Sequence, residues 1–176
     1  MKNETKKNRL MGGITLNYEF NKYFNLRAIG SSDQNYFKFE KYNPISTPRA
    51  LLGSLEQLDR KTTTNQIDAM LSFEKDLSAS IKLTARTGIN YYNYSSEGFS
   101  NIFSTMTVQE VISPNSYTEK SIKEIYSRKD KNSAYGILAL SYKNYLFLDA
   151  TIRRDASSTL PKHNNTYTYP SLSGSF

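Results

Sequence analysis

Between Ser133 and Phe176 the sequence alternates apolar with polar residues along two long runs joined by one tight turn. A period of two confines such a chain to β-strands with two chemically different faces. In the first run Gly136, Leu138, Leu140 and Tyr142 share a face, and in the second Leu146, Leu148, Ala150 and Ile152 do. Lys143-Asn144 reverses the chain between them. The opposite faces carry Ser133, Tyr135, Ser141 and Lys143, then Asp149, Thr151, Arg153 and Asp155, too polar a set for a dry core. A wall with lipid on one side and water on the other accounts for both faces.

The composition is compatible with such a wall. The 176 residues are enough for one domain, and no stretch approaches the roughly 18 consecutive apolar residues of a membrane-spanning helix. A barrel strand crosses a bilayer with about 9 to 11 alternating residues, so 38% hydrophobic content does not exclude a membrane. Fourteen Tyr and nine Phe without Trp suit strands and the bilayer interface, although soluble sandwiches use Tyr as well. Without Cys there is no disulfide, thiolate nucleophile or cysteine metal site. The net charge of +7 is scattered among turns and alternating runs instead of forming a basic block, which argues against nucleic acid as a partner. The opening MKNETKKNRLMGG has no apolar h-region and is not a secretory signal.

Upstream, the same pattern recurs. Ile14, Leu16, Tyr18 and Phe20 alternate with Thr15, Asn17 and Glu19; Asn21-Lys22 marks a reversal; Phe24, Leu26 and Ala28 begin the return opposite Asn25 and Arg27. From about Thr63 to Glu74, Ile67, Ala69, Leu71 and Phe73 oppose Gln66, Asp68, Ser72 and Glu74, and Lys75-Asp76 is expected to turn. From roughly Ser78 to Tyr94, Ala79, Ile81, Leu83, Ala85, Ile89 and Tyr91 oppose Lys82, Thr84, Arg86 and Asn90. Two connections, about Ser32 to Lys61 and Ser95 to Lys131, far exceed the ~12 to 15 residues usual in a compact domain. Short turns near Asn21, Lys75 and Lys143 would then share one side, and loops near residues 45, 115 and 161 the other, as periplasmic turns and extracellular loops do. In the first loop Thr47-Pro48 with Leu51, Leu52, Leu55 and Leu58 reads as a short capped helix. In the second, Phe99, Ile102 and Phe103 are expected to pack into a local core, the alternative being contact with a partner or ligand.

With Thr166 to Phe176 as a last strand, about seven strands result: an all-β, antiparallel, up-and-down transmembrane β-barrel segment. Bacterial single-chain barrels have an even number, from about eight, so the expectation is an incomplete barrel excerpted from a larger one.

The order SAYG, SYKNYLFLDATIRRDASSTLP and NNTYTYPSLSGSF between Ser133 and Phe176 closely resembles a recurrent stretch of the SusC/RagA-like TonB-dependent outer-membrane receptors of Bacteroidetes. GGITLNYEFNKYFNLRA also looks like their barrel hairpins, and the resemblance extends over residues 1–176. Ala156 departs from it, since a larger, often aromatic residue is expected in RxDxSS. The resemblance implies an outer-membrane nutrient importer of about 22 strands closed by an N-terminal plug. It implies outer-membrane lipid as surroundings, a SusD-like lipoprotein and the TonB complex as partners, and oligosaccharides or peptides as substrate. The plug, the TonB-contacting box and a signal peptide are not found within this sequence, which would supply wall and extracellular loops.

Enzymatic chemistry is not indicated. His163 lies in the loop LPKHNNTY near Asp155 and Ser157, but nothing fixes a loop into triad geometry, and solvated turn chemistry is the simpler reading. No phosphate-binding glycine motif or paired metal-ligand spacing occurs, and no cofactor is implied. The polar residues expected to face a lumen are Arg27, Asp68, Arg86, Asp149, Arg153 and Asp155. They would line a substrate path or contact a plug, or else form ion pairs within the wall, Arg153 with Asp155 first. The rival to this reading is a soluble or surface β-sandwich of adhesin type, whose apolar faces would be buried against a second sheet. A secreted β-rich hydrolase would need a cleft of convergent carboxylates.

Overall fold

The computed structural model describes every residue except Met1, Arg49, Gln109, Glu110 and Asn144. Seven antiparallel strands follow one another in a single sheet ordered as they occur in the chain. They are β1 (Lys2–Glu19), β2 (Phe24–Asn43), β3 (Ser54–Ser78), β4 (Ile81–Met106), β5 (Tyr117–Tyr142), β6 (Leu146–Ser157) and β7 (Thr166–Ser175). The up-and-down meander expected from the alternation is therefore present. In β5 and β6 the register pairs Gly136 with Ile152, Leu138 with Ala150, Leu140 with Leu148 and Tyr142 with Leu146. The apolar row continues onto β7, where Leu148 faces Gly174 and Ala150 faces Leu172.

Three expectations are corrected. The two long connections are mostly strand, and they shrink to residues 44–53 and 107–116. Polar side chains hide the pairing from a hydrophobic pattern, because cross-strand ion pairs and hydrogen bonds replace apolar rows there. Lys41 reaches Glu56 (3.5 Å), Lys38 reaches Asp59 (3.2 Å) and Gln57 Nε2 donates to Glu40 (2.9 Å). Secondly, the turn expected at Lys75-Asp76 lies at residues 79–80, after the alternation resumes at Leu77, and the Ser80 N–H donates to Ser78 Oγ (3.2 Å). Thirdly, no helix forms at Thr47. Thr47 and Ala50 make an isolated bridge, and Ser46 (φ 71°) and Gly53 (φ 75°) bend the backbone in ways a helix cannot contain. The other short turns stand where expected. Asn21 Oδ1 accepts from the N–H of Tyr23 and Phe24, and Lys143 enters its turn at φ 49°. Asn144, the second residue of that expected turn, lies outside the described residues.

The contacts divide into two compact units. One comprises residues up to Met11, Asp33–Thr63 and Tyr94–Arg128. It holds the small core Leu55, Phe103, Met106 and Tyr117, with Tyr42 and Ile45 packed against it. Phe103 thus joins a local core as expected, whereas Phe99 and Ile102 stay half exposed. Burial pushes the Tyr117 phenol above its ordinary pKa, and its Oη has no hydrogen-bond partner. The same unit holds a two-pronged Arg9–Asp33 pair (2.9 and 2.7 Å), and that guanidinium keeps the Asp33 carboxyl below its usual range.

The other unit comprises Gly12–Ser32, Thr64–Asn93 and Lys129–Phe176. Among its described residues no hydrophobic side chain is buried, and Ile14, Leu16, Ile67, Ile89, Leu138, Ile152 and Leu172 are all exposed. At one end of this apolar face the side chains change character. Ser32 Oγ donates to Asn65 (2.8 Å), Asn65 Nδ2 to Asn93 (3.5 Å), and Asn93 Nδ2 to Asp130 (2.7 Å), so one hydrogen-bonded row crosses β2 to β5. Tyr91 Oη donates to the same Asp130 oxygen (3.3 Å).

Leu55→Ala removes a fully buried side chain from the small core and is expected to cost about 2–4 kcal/mol, whereas exposed Leu52→Ala changes stability by less than about 0.5 kcal/mol. Thermal unfolding of the two variants in detergent, followed by circular dichroism, checks this; equal midpoints would contradict the assigned core.

Candidate functional site: the polar face

Alternation places all six sequence-predicted polar residues on the face opposite the apolar row. On β5, β6 and β7 the register brings this face together strand by strand. Ser133 lies opposite Asp155, Tyr135 opposite Arg153 and Ala139 opposite Asp149; on the other side Arg153 faces Tyr169 and Asp155 faces Tyr167. Arg153 Nε donates to Asp155 Oδ1 (2.8 Å) and Nη2 to Ser133 Oγ (3.1 Å), so the expected Arg153–Asp155 pair forms and ties two strands. Both partners are more than a third exposed, which keeps the pair below about 1 kcal/mol.

The six residues do not converge on one point. Asp149 stands apart from the Arg153 cluster, with the hydrogen-bonded Thr151–Ser171 pair between them (3.0 Å). Asp68 meets Asn90 (3.5 Å), and Arg27 and Arg86 are exposed on β2 and β4. Of the residues weighed as a triad, Asp155 is engaged by Arg153, Ser157 Oγ by Thr159 (2.8 Å), and His163 sits in a single 3-10 turn. Among the described residues no group of three or more His, Asp or Glu can hold a metal ion.

Around Arg153 there is a recess of about 620 Å³ whose lining includes Asn90, Tyr92, Lys129, Lys131, Tyr167 and Tyr169. Three cations and one carboxylate make it net basic, and Lys131 Nζ stands 5.9 Å from the Tyr92 ring centre. Aromatic rings beside cations and amides suit a polar or anionic ligand with flat or sugar-like surfaces. Sequence reasoning missed Tyr92, Lys129, Lys131, Tyr167 and Tyr169 as site residues. Their signal is parity alone: Lys129 and Lys131 share the alternation of Ser133 but lie in a stretch without apolar alternation.

Tyr135 also lies on this face, its ring lying across Gly88 of β4. A Cβ at Gly88 would come within 2.4 Å of the Tyr135 ring and 2.8 Å of the Ala69 carbonyl oxygen, so a bare glycine is required under the aromatic ring. Gly88→Ala is expected to destabilise the sheet by about 1–3 kcal/mol, and Gly88→Ala with Tyr135→Ala to recover part of that loss. Resistance of the folded protein to unfolding in hot SDS, read by gel mobility, measures both; an unchanged transition in Gly88→Ala would refute the contact.

No protein family's profile matches the sequence, and no curated protein matches it. Solved structures do match. The RagAB peptide transporter superposes with a TM-score of 0.85 over 98% of this chain and 20% of its own, at 12% identity. The RagAB peptide importer in its "open-open" state gives 0.79 at 13% identity, again over 20% of its length. BauA, the ferric preacinetobactin receptor from Acinetobacter baumannii, gives 0.56 at 18% identity over 97% of this chain and 27% of its own. These structures are described as a peptide transporter, a peptide importer and a receptor. The chain spans about a fifth of the RagAB protein it matches, and its seven antiparallel strands have the fold of a stretch of SusC/RagA-like barrel wall.

Proposed function

We propose that this chain is part of the wall of an outer-membrane, TonB-dependent nutrient importer of SusC type, with residues 1–176 all belonging to its barrel domain. The observation that carries the reading is the two-sidedness of the sheet. One face of the Gly12–Ser32, Thr64–Asn93 and Lys129–Phe176 unit is apolar and exposed, and the other is charged and hydroxylated. A single sheet with those faces is stable with hydrocarbon on one side and water on the other. The likeness in fold to the RagAB transporter supports the importer class.

On this reading the polar face looks into the lumen. Arg27, Asp68, Arg86, Asp149, Arg153 and Asp155 line the wall there, and the basic, tyrosine-rich recess around Arg153 offers a contact for cargo. Because the RagAB structures are described as a peptide transporter and importer, peptide is the first substrate class to try, and oligosaccharide the second. A SusD-like lipoprotein would deliver the cargo, and the TonB complex would supply the energy.

Membrane fractionation and uptake test this together. The protein is expected in the outer membrane, needing detergent to stay monodisperse, and cells lacking it are expected to lose growth on peptide or on oligosaccharide as sole carbon source. Lys131→Glu is expected to lower uptake severalfold at an unchanged protein level in the membrane, since it reverses a charge in the recess without touching the Arg153–Asp155 pair. A monodisperse, detergent-free protein would instead indicate a soluble β-sandwich or adhesin.

A further inference from the structure

On the apolar face of the second unit, alternation leaves only three charged side chains: Lys75 beside the short turn, Asp130 in the hydrogen-bonded polar row, and Arg154. Arg154 follows directly on the apolar row Leu146, Leu148, Ala150, Ile152 and is exposed. Its two cross-strand neighbours are Ala134 and Thr168, neither of which neutralises it, and among the described residues it makes no ion pair or side-chain hydrogen bond. Asp130 is four residues from Ala134 along β5, about 13 Å away at strand rise, and its carboxylate already accepts from Asn93 and Tyr91. Beside Arg154 runs a groove of about 450 Å³ lined largely by apolar atoms of Ile67, Ile89, Tyr91, Ala134 and Ala156.

A guanidinium at the mouth of an apolar groove, on a face made for hydrocarbon, needs an anion that arrives with its own apolar tail. We infer that this groove binds a phosphate-bearing anionic lipid, with an acyl chain along Ile67, Ile89 and Ala134 and the phosphate held by Arg154. The planar fork of Arg suits two phosphate oxygens at once, which a carboxylate-free surface of Ala and Thr leaves available. The Tyr91 ring and the Asn93–Asp130 end of the polar row lie where a headgroup would emerge into water, so both parts of the lipid meet matching chemistry. The inference rests on the membrane assignment of this face and goes beyond it, because a generic lipid boundary requires no particular site.

The test uses the protein purified in mild detergent from its own membranes, titrated with short-chain phosphatidic acid and, separately, with the matching diacylglycerol, and read by native mass spectrometry. The parent protein is expected to bind phosphatidic acid roughly tenfold more tightly than diacylglycerol, the scale of one charge-assisted bidentate contact. Arg154→Gln is expected to abolish that preference, Ala134→Leu to weaken both lipids at least about threefold by narrowing the groove, and Lys162→Gln, a surface charge in the neighbouring connection, to change neither. Folded Arg154→Gln that still prefers phosphatidic acid as strongly as the parent overturns the site and leaves Arg154 merely reaching for water. Should Arg154→Gln fail to reach the membrane, Ala134→Leu decides, and unchanged binding there overturns the proposal equally. Failure of the membrane reading itself looks different: the protein would stay monodisperse once detergent is removed.

Discussion

Everything in this structure depends on the pairing of main-chain N–H and C=O groups between adjacent strands. In hydrocarbon an unpaired peptide group costs several kcal/mol, so a chain that crosses a bilayer without helices must hand each strand's hydrogen bonds to a neighbour. The meander β1 to β7, each strand bonded to the next in sequence, does this with short reversals. Side chains are then free to differ between the two faces, because no hydrophobic core is needed to hold the strands together. That freedom explains how Leu138, Leu148 and Leu172 remain exposed in a well-paired sheet, with Ser133, Arg153 and Tyr169 on the opposite side of the same strands.

Pairing also organises the polar part. In the unit built from Asp33–Thr63 and Tyr94–Arg128, strands continue where the hydrophobic alternation ends. β3, β4 and β5 reach 25, 26 and 26 residues, more than twice the length a bilayer requires. Ion pairs and amide contacts accompany the ladder there, and Leu55, Phe103, Met106 and Tyr117 form a small buried cluster. None of these ion pairs is individually strong, since exposed pairs contribute little. Their role is to satisfy charges along strands whose stability comes from the ladder and the small core.

What was legible in the sequence follows from this division. Where one face is continuously apolar, as at Gly136, Leu138, Leu140 and Tyr142, the apolar residues on one parity make strand, register and face readable, and the Arg153–Asp155 pair could be named from spacing. Where neither face is continuously apolar, as from Asp33 to Asn43 or from Thr118 to Lys131, parity carries no hydropathy signal and the segments read as loop. The false helix at Thr47 shows the same limit: Leu51, Leu52, Leu55 and Leu58 have helical spacing, but the left-handed backbone at Ser46 and Gly53, a tertiary requirement, overrides it. The recess on the polar face is only partly legible because its lysines lie in a segment whose parity carries no hydropathy signal. Gly88 could not be interpreted without knowing that Tyr135 of another strand lies over it.

If the apolar face meets a bilayer as proposed, the hydrogen-bonded row Ser32, Asn65, Asn93 and Asp130 marks the depth at which hydrocarbon ends. From Ile81, just after the short turn, to Tyr91, just before the row, the apolar face rises about 25 Å at roughly 3.3 Å per residue and a 40° tilt. A bilayer much thicker than that would draw paired amides into hydrocarbon, and a thinner one would strand isoleucines in water. Hydrophobic mismatch of this kind costs fractions of a kcal/mol per ångström, and the outer membrane is thinner than average. On the proposed membrane reading the row would therefore set the height of the sheet and favour a thin bilayer.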